Sequence, residues 1–184
     1  MKLRKQIILI MLIFTIFTII YSNISFATTT VANQDFEIAS EAALLMETST
    51  GKILLSKNED EKLYPASTTK ILTAIIAIEK YNLTDKLSAS NSAVMAIPSG
   101  YSNAGIKQGE TLTVDELLNL FLIHSANEVG YIFAENISGD ITSFANLMNQ
   151  KASALGCKNT HFTNPSGIHD VNHYSTAYDM ALIA

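Results

Sequence analysis

Apolar positions come in runs whose spacing and flanking residues separate strands from helices. Glu41–Glu47 and Lys52–Ser56 are short apolar runs around Thr48-Ser49-Thr50-Gly51, a turn-forming tetrad, and predict a β-hairpin. Both runs are apolar enough to suggest a sheet covered on its two faces. Ile71 to Ile78 is apolar except at Thr73, which predicts a helix with no face for water, running through the middle of a core. It is opened by Tyr64-Pro65-Ala66-Ser67-Thr68-Thr69-Lys70 and fades at Glu79-Lys80-Tyr81-Asn82. A short strand is expected near Leu87. Thr113-Val114-Asp115-Glu116 forms a capping box ahead of Leu117, Leu118, Leu120 and Phe121, predicting a helix over 114–124. A second helix, Val129 to Ile137, follows after only His124-Ser125-Ala126-Asn127. Residues 141–155 place Phe144, Leu147, Met148 and Leu155 at core spacing and stop at Gly156. Asn159 to Tyr174 is turn-rich. A last helix starts at Ser175-Thr176-Ala177-Tyr178-Asp179, with Thr176 and Asp179 in capping-box register.

One further run stands apart. Lys2, Arg4 and Lys5 precede an apolar stretch from Ile7 to Tyr21 broken only by Thr15 and Thr18, and Ser25-Phe26-Ala27 closes the region. Basic, apolar and small-x-small in that order is the layout of a secretory signal peptide, with cleavage after Ala27. The alternative, an uncleaved membrane anchor, suffers from a run short for a spanning helix. The chain thus divides into a signal peptide (1–27), a loose lead-in (28–40) and one domain (41–184). Setting the first part aside changes the charge balance: residues 28–184 carry nine lysines against seventeen acidic residues, a formal charge of −8. Nucleic acid is a poor partner for such a chain. The single cysteine, Cys157, excludes an intramolecular disulfide and reads as a packed thiol. His169 and His173 are four apart, but the loop-forming residues between them argue against a helical metal pair.

Candidate chemistry concentrates at the entrance of the apolar helix. Lys70 follows Ser67 by one turn and shares its face. A serine hydroxyl becomes a nucleophile when a neighbour removes its proton, and a lysine can do so once burial and the positive end of a helix lower its pKa. The competing reading is a capping serine followed by a lysine that snorkels to water. Spacing alone does not decide, because Ser49-Thr50-Gly51-Lys52 has the same spacing in the hairpin turn. A second polar pair, Ser125 and Asn127, lies in the short link between helices. There a hydroxyl could relay a proton and a carboxamide could hold Lys70 and a bound backbone. A plain turn with a capping Asn is the alternative, and Ser56-Lys57-Asn58 repeats the pattern by chance. Pro98 to Gly105 is either a connection or the wall of a cleft.

The two pairs in this order behind a signal peptide resemble the penicillin-recognising serine acyl-transferases. Within them the text is similar to the low-molecular-weight penicillin-binding proteins, the serine-type D-alanyl-D-alanine carboxypeptidases. The matching phrases are Ala42 to Leu55, Tyr64 to Ala74, Leu122 to Asn127, Thr160-His161-Phe162-Thr163-Asn164-Pro165-Ser166-Gly167, and Ser175 to Ala181. The resemblance implies an α/β fold of the α+β type, β-lactamase/transpeptidase-like, with an antiparallel sheet, flanking helices and a helical subdomain. It implies Ser67 as acylated nucleophile, Lys70 as general base, Ser125 as proton relay and Asn127 as substrate-orienting residue, with no cofactor. The implied substrate is a peptidoglycan stem peptide ending in D-Ala-D-Ala, with β-lactams as inhibitors, in an extracytoplasmic location. The family's Lys-Thr-Gly motif does not occur in the sequence. With its end at Ala184 in mid helix, the chain reads as the first two thirds of a catalytic domain, truncated before the last strands and before any C-terminal region that would touch a membrane. Two rivals follow: a class A β-lactamase, disfavoured by Ala126 where those enzymes have Asp and by the lack of Glu in 155–170, and a non-catalytic wall-binding remnant.

Overall fold

The computed structural model describes residues 37–184, so the basic and apolar N-terminal stretch and its cleavage site lie outside the described residues. Strand β1 (Ala43–Met46) pairs antiparallel with β2 (Ile53–Lys57), placing Leu45 opposite Leu55, with a bulge between Leu45 and Met46. The turn closes through Gly51, whose φ of +70° is one that glycine adopts without steric cost. The hairpin is where it was expected, but the sheet is not covered on both faces: Leu45 and Leu54 are 55% and 57% exposed.

A 3₁₀ turn, Ala66–Thr69, runs directly into helix α1 (Lys70–Lys80). The apolar helix has two buried flanks that serve different cores. Ala74 and Ala77 pack with Leu87, Val114, Leu117, Phe121, Val129 and Phe133. Leu72 and Ile76 pack with Ala134, Phe144, Met148, Phe162 and Ile183. A third face is open, because Ile78 is more than half exposed and Ile71 is 36% exposed. An all-apolar run shows that a helix is buried somewhere, and it cannot say which of its faces is left out.

Strand β3 (Lys86–Ser88) pairs antiparallel with β4 (Thr111–Thr113), and α2 (Asn91–Met95) lies between them in sequence. Helix α3 (Val114–Leu122) carries the expected capping box: Thr113 Oγ1 accepts from the Glu116 amide, and the Glu116 carboxylate accepts from the Thr113 amide. Helix α4 (Asn127–Ser138) ends at Gly139, in the left-handed conformation usual one residue past a helix. Helix α5 (Ile141–Ala154) is capped by Asp140. Its Phe144 and Met148 are fully buried, whereas Leu155, expected at a core position, is 37% exposed and lies past the end of the helix, outside both cores.

Residues 159–174 contain neither helix nor extended strand, and two isolated bridges, Leu63 with Ser175 and His161 with Tyr174, hold the segment in place. Helix α6 (Ala177–Ile183) packs against β1. Thr176 caps it, but the reciprocal half of the expected capping box is not made. The Asp179 carboxylate accepts instead from the amides of Lys158 and Asn159 and from the Thr160 hydroxyl, closing the chain reversal that contains Cys157. Cys157 is half-buried against the second core, and burial beside Asp179 pushes its thiol up to about 11, so it is a packed thiol. Ile38–Ala184 form one unit, an α+β arrangement in which two antiparallel strand pairs, β1–β2 and β3–β4, are interspersed with helices along the chain.

Candidate active site

Ser67 sits in the 3₁₀ turn ahead of α1, exposed, and its hydroxyl caps nothing. Lys70, the first residue of α1, is 2% exposed. Both halves of the competing reading therefore fail: the serine is not a cap and the lysine does not reach water. The 3₁₀ turn brings Lys70 Nζ to 3.0 Å from Ser67 Oγ. From the other side, the link between α3 and α4 delivers Ser125, whose Oγ is 3.2 Å from Ser67 Oγ, and Asn127, whose Oδ1 is 2.9 Å from Lys70 Nζ. The four residues singled out in the sequence thus converge on one spot from segments 57 or 58 positions apart.

The link is held in an unusual conformation. Ser125 has a φ of +56°, uncommon outside glycine, and such local strain persists where surrounding contacts fix it. Those contacts come from the polar loop that could have been only a connection. The Ser102 carbonyl accepts from the Asn127 amide at 3.0 Å and from Asn127 Nδ2 at 2.8 Å, and the Ser102 hydroxyl donates to the His124 carbonyl at 3.0 Å. The buried Glu128 carboxylate accepts from the amides of Ala104 and Gly105. The loop is latched to the start of α4. Since a carbonyl can only accept, Ser102 forces Nδ2 of Asn127 toward itself and leaves Oδ1 facing Lys70.

The surroundings of Lys70 set its protonation and direction together. Burial lowers its pKa to about 8. Two of its neighbours, Asn127 Oδ1 and the Ser166 carbonyl at 2.9 Å, are acceptors that cannot donate. In the neutral amine these two oxygens take the two N–H bonds, so the lone pair is left pointing at the Ser67 hydroxyl. That is the geometry of a general base on a serine nucleophile, with a second hydroxyl touching the first.

Sequence reasoning missed the third element of this arrangement. Ser166, Asn164 and His173 belong to the turn-rich segment, in which the phrase Thr160 to Gly167 stood out only by resemblance and His173 only as a disfavoured metal ligand. The Ser166 contribution is a backbone carbonyl, for which side-chain chemistry offers no signal. Gly167 does leave one: with a φ of +82°, its Cα lies so close to the Ala66 carbonyl that an added Cβ would fall 1.8 Å from that oxygen. Glycine is required there for close approach of two backbones.

Comparison with known proteins places this geometry in context. The family model for D-alanyl-D-alanine carboxypeptidase matches residues 27–184. The Bacillus subtilis D-alanyl-D-alanine carboxypeptidase DacF is 42% identical over 172 residues, covering 88% of this chain and 43% of that relative. The crystal structure of the Francisella tularensis D-alanyl-D-alanine carboxypeptidase DacD superposes with a TM-score of 0.74 at 36% identity, covering 80% of this chain and 36% of that one. Penicillin binding protein 5 from Haemophilus influenzae superposes with the same TM-score at 33% identity, covering 80% and 44%. The transpeptidase-like α+β fold expected from the resemblance is the fold of these structures. The chain spans less than half the length of each of these three proteins.

Proposed function

Because this chain belongs to the D-alanyl-D-alanine carboxypeptidase family, we propose that it carries the nucleophile and base of an exported enzyme that removes the terminal D-alanine from peptidoglycan stem peptides. In this reading neutral Lys70 takes the Ser67 proton as Ser67 Oγ attacks the carbonyl carbon of the D-Ala-D-Ala bond. The tetrahedral intermediate collapses as the C–N bond breaks. The proton taken up by Lys70 returns by way of the Ser125 hydroxyl, which gives its own proton to the departing amine and is reprotonated; D-alanine leaves, and an ester remains on Ser67. Water then adds to the ester carbon, the acyl–oxygen bond breaks, and the shortened peptide departs with the Ser67 hydroxyl restored. Asn127 Nδ2 carries two N–H bonds; Ser102 takes one, and the other is the donor suited to a substrate carbonyl. No step calls on a metal or cofactor. A β-lactam, which presents a strained amide to the same hydroxyl, would acylate Ser67.

The observation that carries this reading is the buried amine 3.0 Å from an exposed serine hydroxyl, with its other contacts made to pure acceptors. Export rests on the layout of residues 1–27, and the extracytoplasmic location follows from it. Among the described residues no helix is long and apolar enough to cross a membrane. The test is uptake of a fluorescent penicillin by the full-length gene product. Covalent labelling that vanishes in Ser67→Ala supports the proposal, and equal labelling of both proteins would overturn it. A persistent adduct fits a carboxypeptidase, whereas rapid turnover would transfer the chain to the β-lactamases.

A further inference from the structure

His173 is buried to 2% exposure and touches neither Ser67 nor Lys70 in the contacts that define the site, yet its two ring nitrogens join the two segments that flank them. Nδ1 lies 3.1 Å from the Thr163 amide. A backbone N–H can only donate, so Nδ1 must be an unprotonated acceptor. A neutral ring then carries its proton on Nε2, which lies 2.8 Å from Thr69 Oγ1 and donates to it. Burial, the largest influence on this ring, pushes its pKa down to about 4, in keeping with a proton-free Nδ1. The ring is packed edge-on against Phe162, centroids 5.4 Å apart, and the bridge between His161 and Tyr174 fixes the chain on either side of it.

What the ring joins matters for the chemistry. Thr69 is the last residue of the 3₁₀ turn that presents Ser67, and it immediately precedes Lys70. Thr163 leads into Asn164, whose Oδ1 gathers the amides of Ser166, Gly167 and Ile168 at 3.2, 2.8 and 3.1 Å. This folds 164–168 into one tight unit, so a constraint at its entrance is passed to the Ser166 carbonyl. That carbonyl is one of the two acceptors that turn the Lys70 lone pair toward Ser67.

We propose that His173 is a positioning residue for acyl transfer: its neutral ring ties the turn bearing Ser67 to the loop whose Ser166 carbonyl orients the Lys70 amine. The proposal rests on the serine-acylation reading above. It differs from ordinary core packing in what it predicts, because a packing residue affects how much protein is folded and a positioning residue affects how fast folded protein reacts. Thr73 Oγ1 also donates to the Pro165 carbonyl at 2.7 Å, and Gly167 abuts Ala66, so loss of the ring loosens the loop without freeing it. The expected effect is therefore a roughly tenfold fall in rate and not abolition, since small misplacements of a base are costly.

The experiment is rapid-mixing acylation of the full-length protein by a fluorescent penicillin, resolving the acylation rate constant, the half-saturating concentration and the fraction of molecules labelled. His173→Phe keeps the ring's bulk and removes both nitrogens; Thr69→Val removes the hydroxyl that receives the proton. Each should lower the acylation rate constant about tenfold with the half-saturating concentration and labelled fraction unchanged, and the double variant should be no slower than either, as one shared interaction requires. His173→Gln, which restores a side-chain N–H donor, should recover part of the rate. An unchanged rate constant with only a smaller labelled fraction or a lower melting temperature would overturn the proposal. Should the variants fail to fold, long-range ¹H–¹⁵N spectra of the wild type decide: Nε2–H on a ring that stays neutral at pH 6 supports the tie, and Nδ1–H or a titration near 6.5 overturns it. If the wild type itself is not labelled, the reading of Ser67 falls; if it is labelled and the variants match it, only the role of His173 falls.

Discussion

Three oxygen atoms surround the amine of Lys70, and none of them is a carboxylate. An acidic partner would hold the amine charged and idle, whereas amide and carbonyl oxygens satisfy its N–H bonds without that penalty. With a pKa near 8, about a tenth of the molecules carry the neutral base at pH 7. The acylation rate constant for penicillin should accordingly rise with pH through an inflection near 8 and then level off, and a profile flat from pH 6 to 9 would remove Lys70 from the role of base. Ser125→Ala deletes the hydroxyl proposed as relay and leaves Ser67 and Lys70 in place. It should slow acylation on the order of a hundredfold, measured with a fluorescent penicillin, and the residual labelling should still require Ser67.

At the scale of elements, two glycine and capping positions separate structure that serves the site from structure that serves only the fold. Gly167→Ala places a methyl group against the Ala66 carbonyl and forces an unfavourable φ, and the obstacle is backbone that cannot swing aside. We expect a loss of at least about 2 kcal/mol, read by urea unfolding, together with slower acylation because the Ser166 carbonyl moves with Gly167. Thr113→Ala removes half of the capping box of α3 and should cost about 1 kcal/mol with the acylation rate constant unchanged. Capping was legible in the sequence where both partners are local, as at Thr113 and Glu116. It was misread at Asp179, because amides of Lys158 and Asn159, distant in sequence, claim the carboxylate. The central helix was legible as buried and its open face was not, since a run of isoleucines carries no mark of direction.

For the molecule as a whole, a buried lysine makes stability rise with pH on the alkaline side of neutrality, far above the range of acid denaturation. The unfolded chain holds the Lys70 proton up to its ordinary pKa of 10.5 and the folded chain gives it up near 8, so between these values the unfolded state binds more protons and stability rises with pH. The gain between pH 8 and 9 should be about 1 kcal/mol. Above pH 9 Cys157 opposes it, since its thiol ionises first in the unfolded chain, and the rise should flatten. Urea unfolding of the wild type and of Lys70→Met at several pH values checks this: the variant should be more stable below pH 8 and lack the rise, and parallel curves would contradict the burial of the amine. By itself the sequence determined the hairpin, every helix but the short α2, and which two serines, which lysine and which asparagine to single out, because periodicity, capping and side-chain chemistry act over a few neighbouring residues. Only the tertiary structure decided that Ser125 and Asn127 meet Ser67 and Lys70, that a Ser166 carbonyl completes their surroundings, and that His173 lies behind them. Those contacts join residues 57 to 104 positions apart, and a backbone oxygen or a ring's protonated nitrogen acquires its role from what is packed against it.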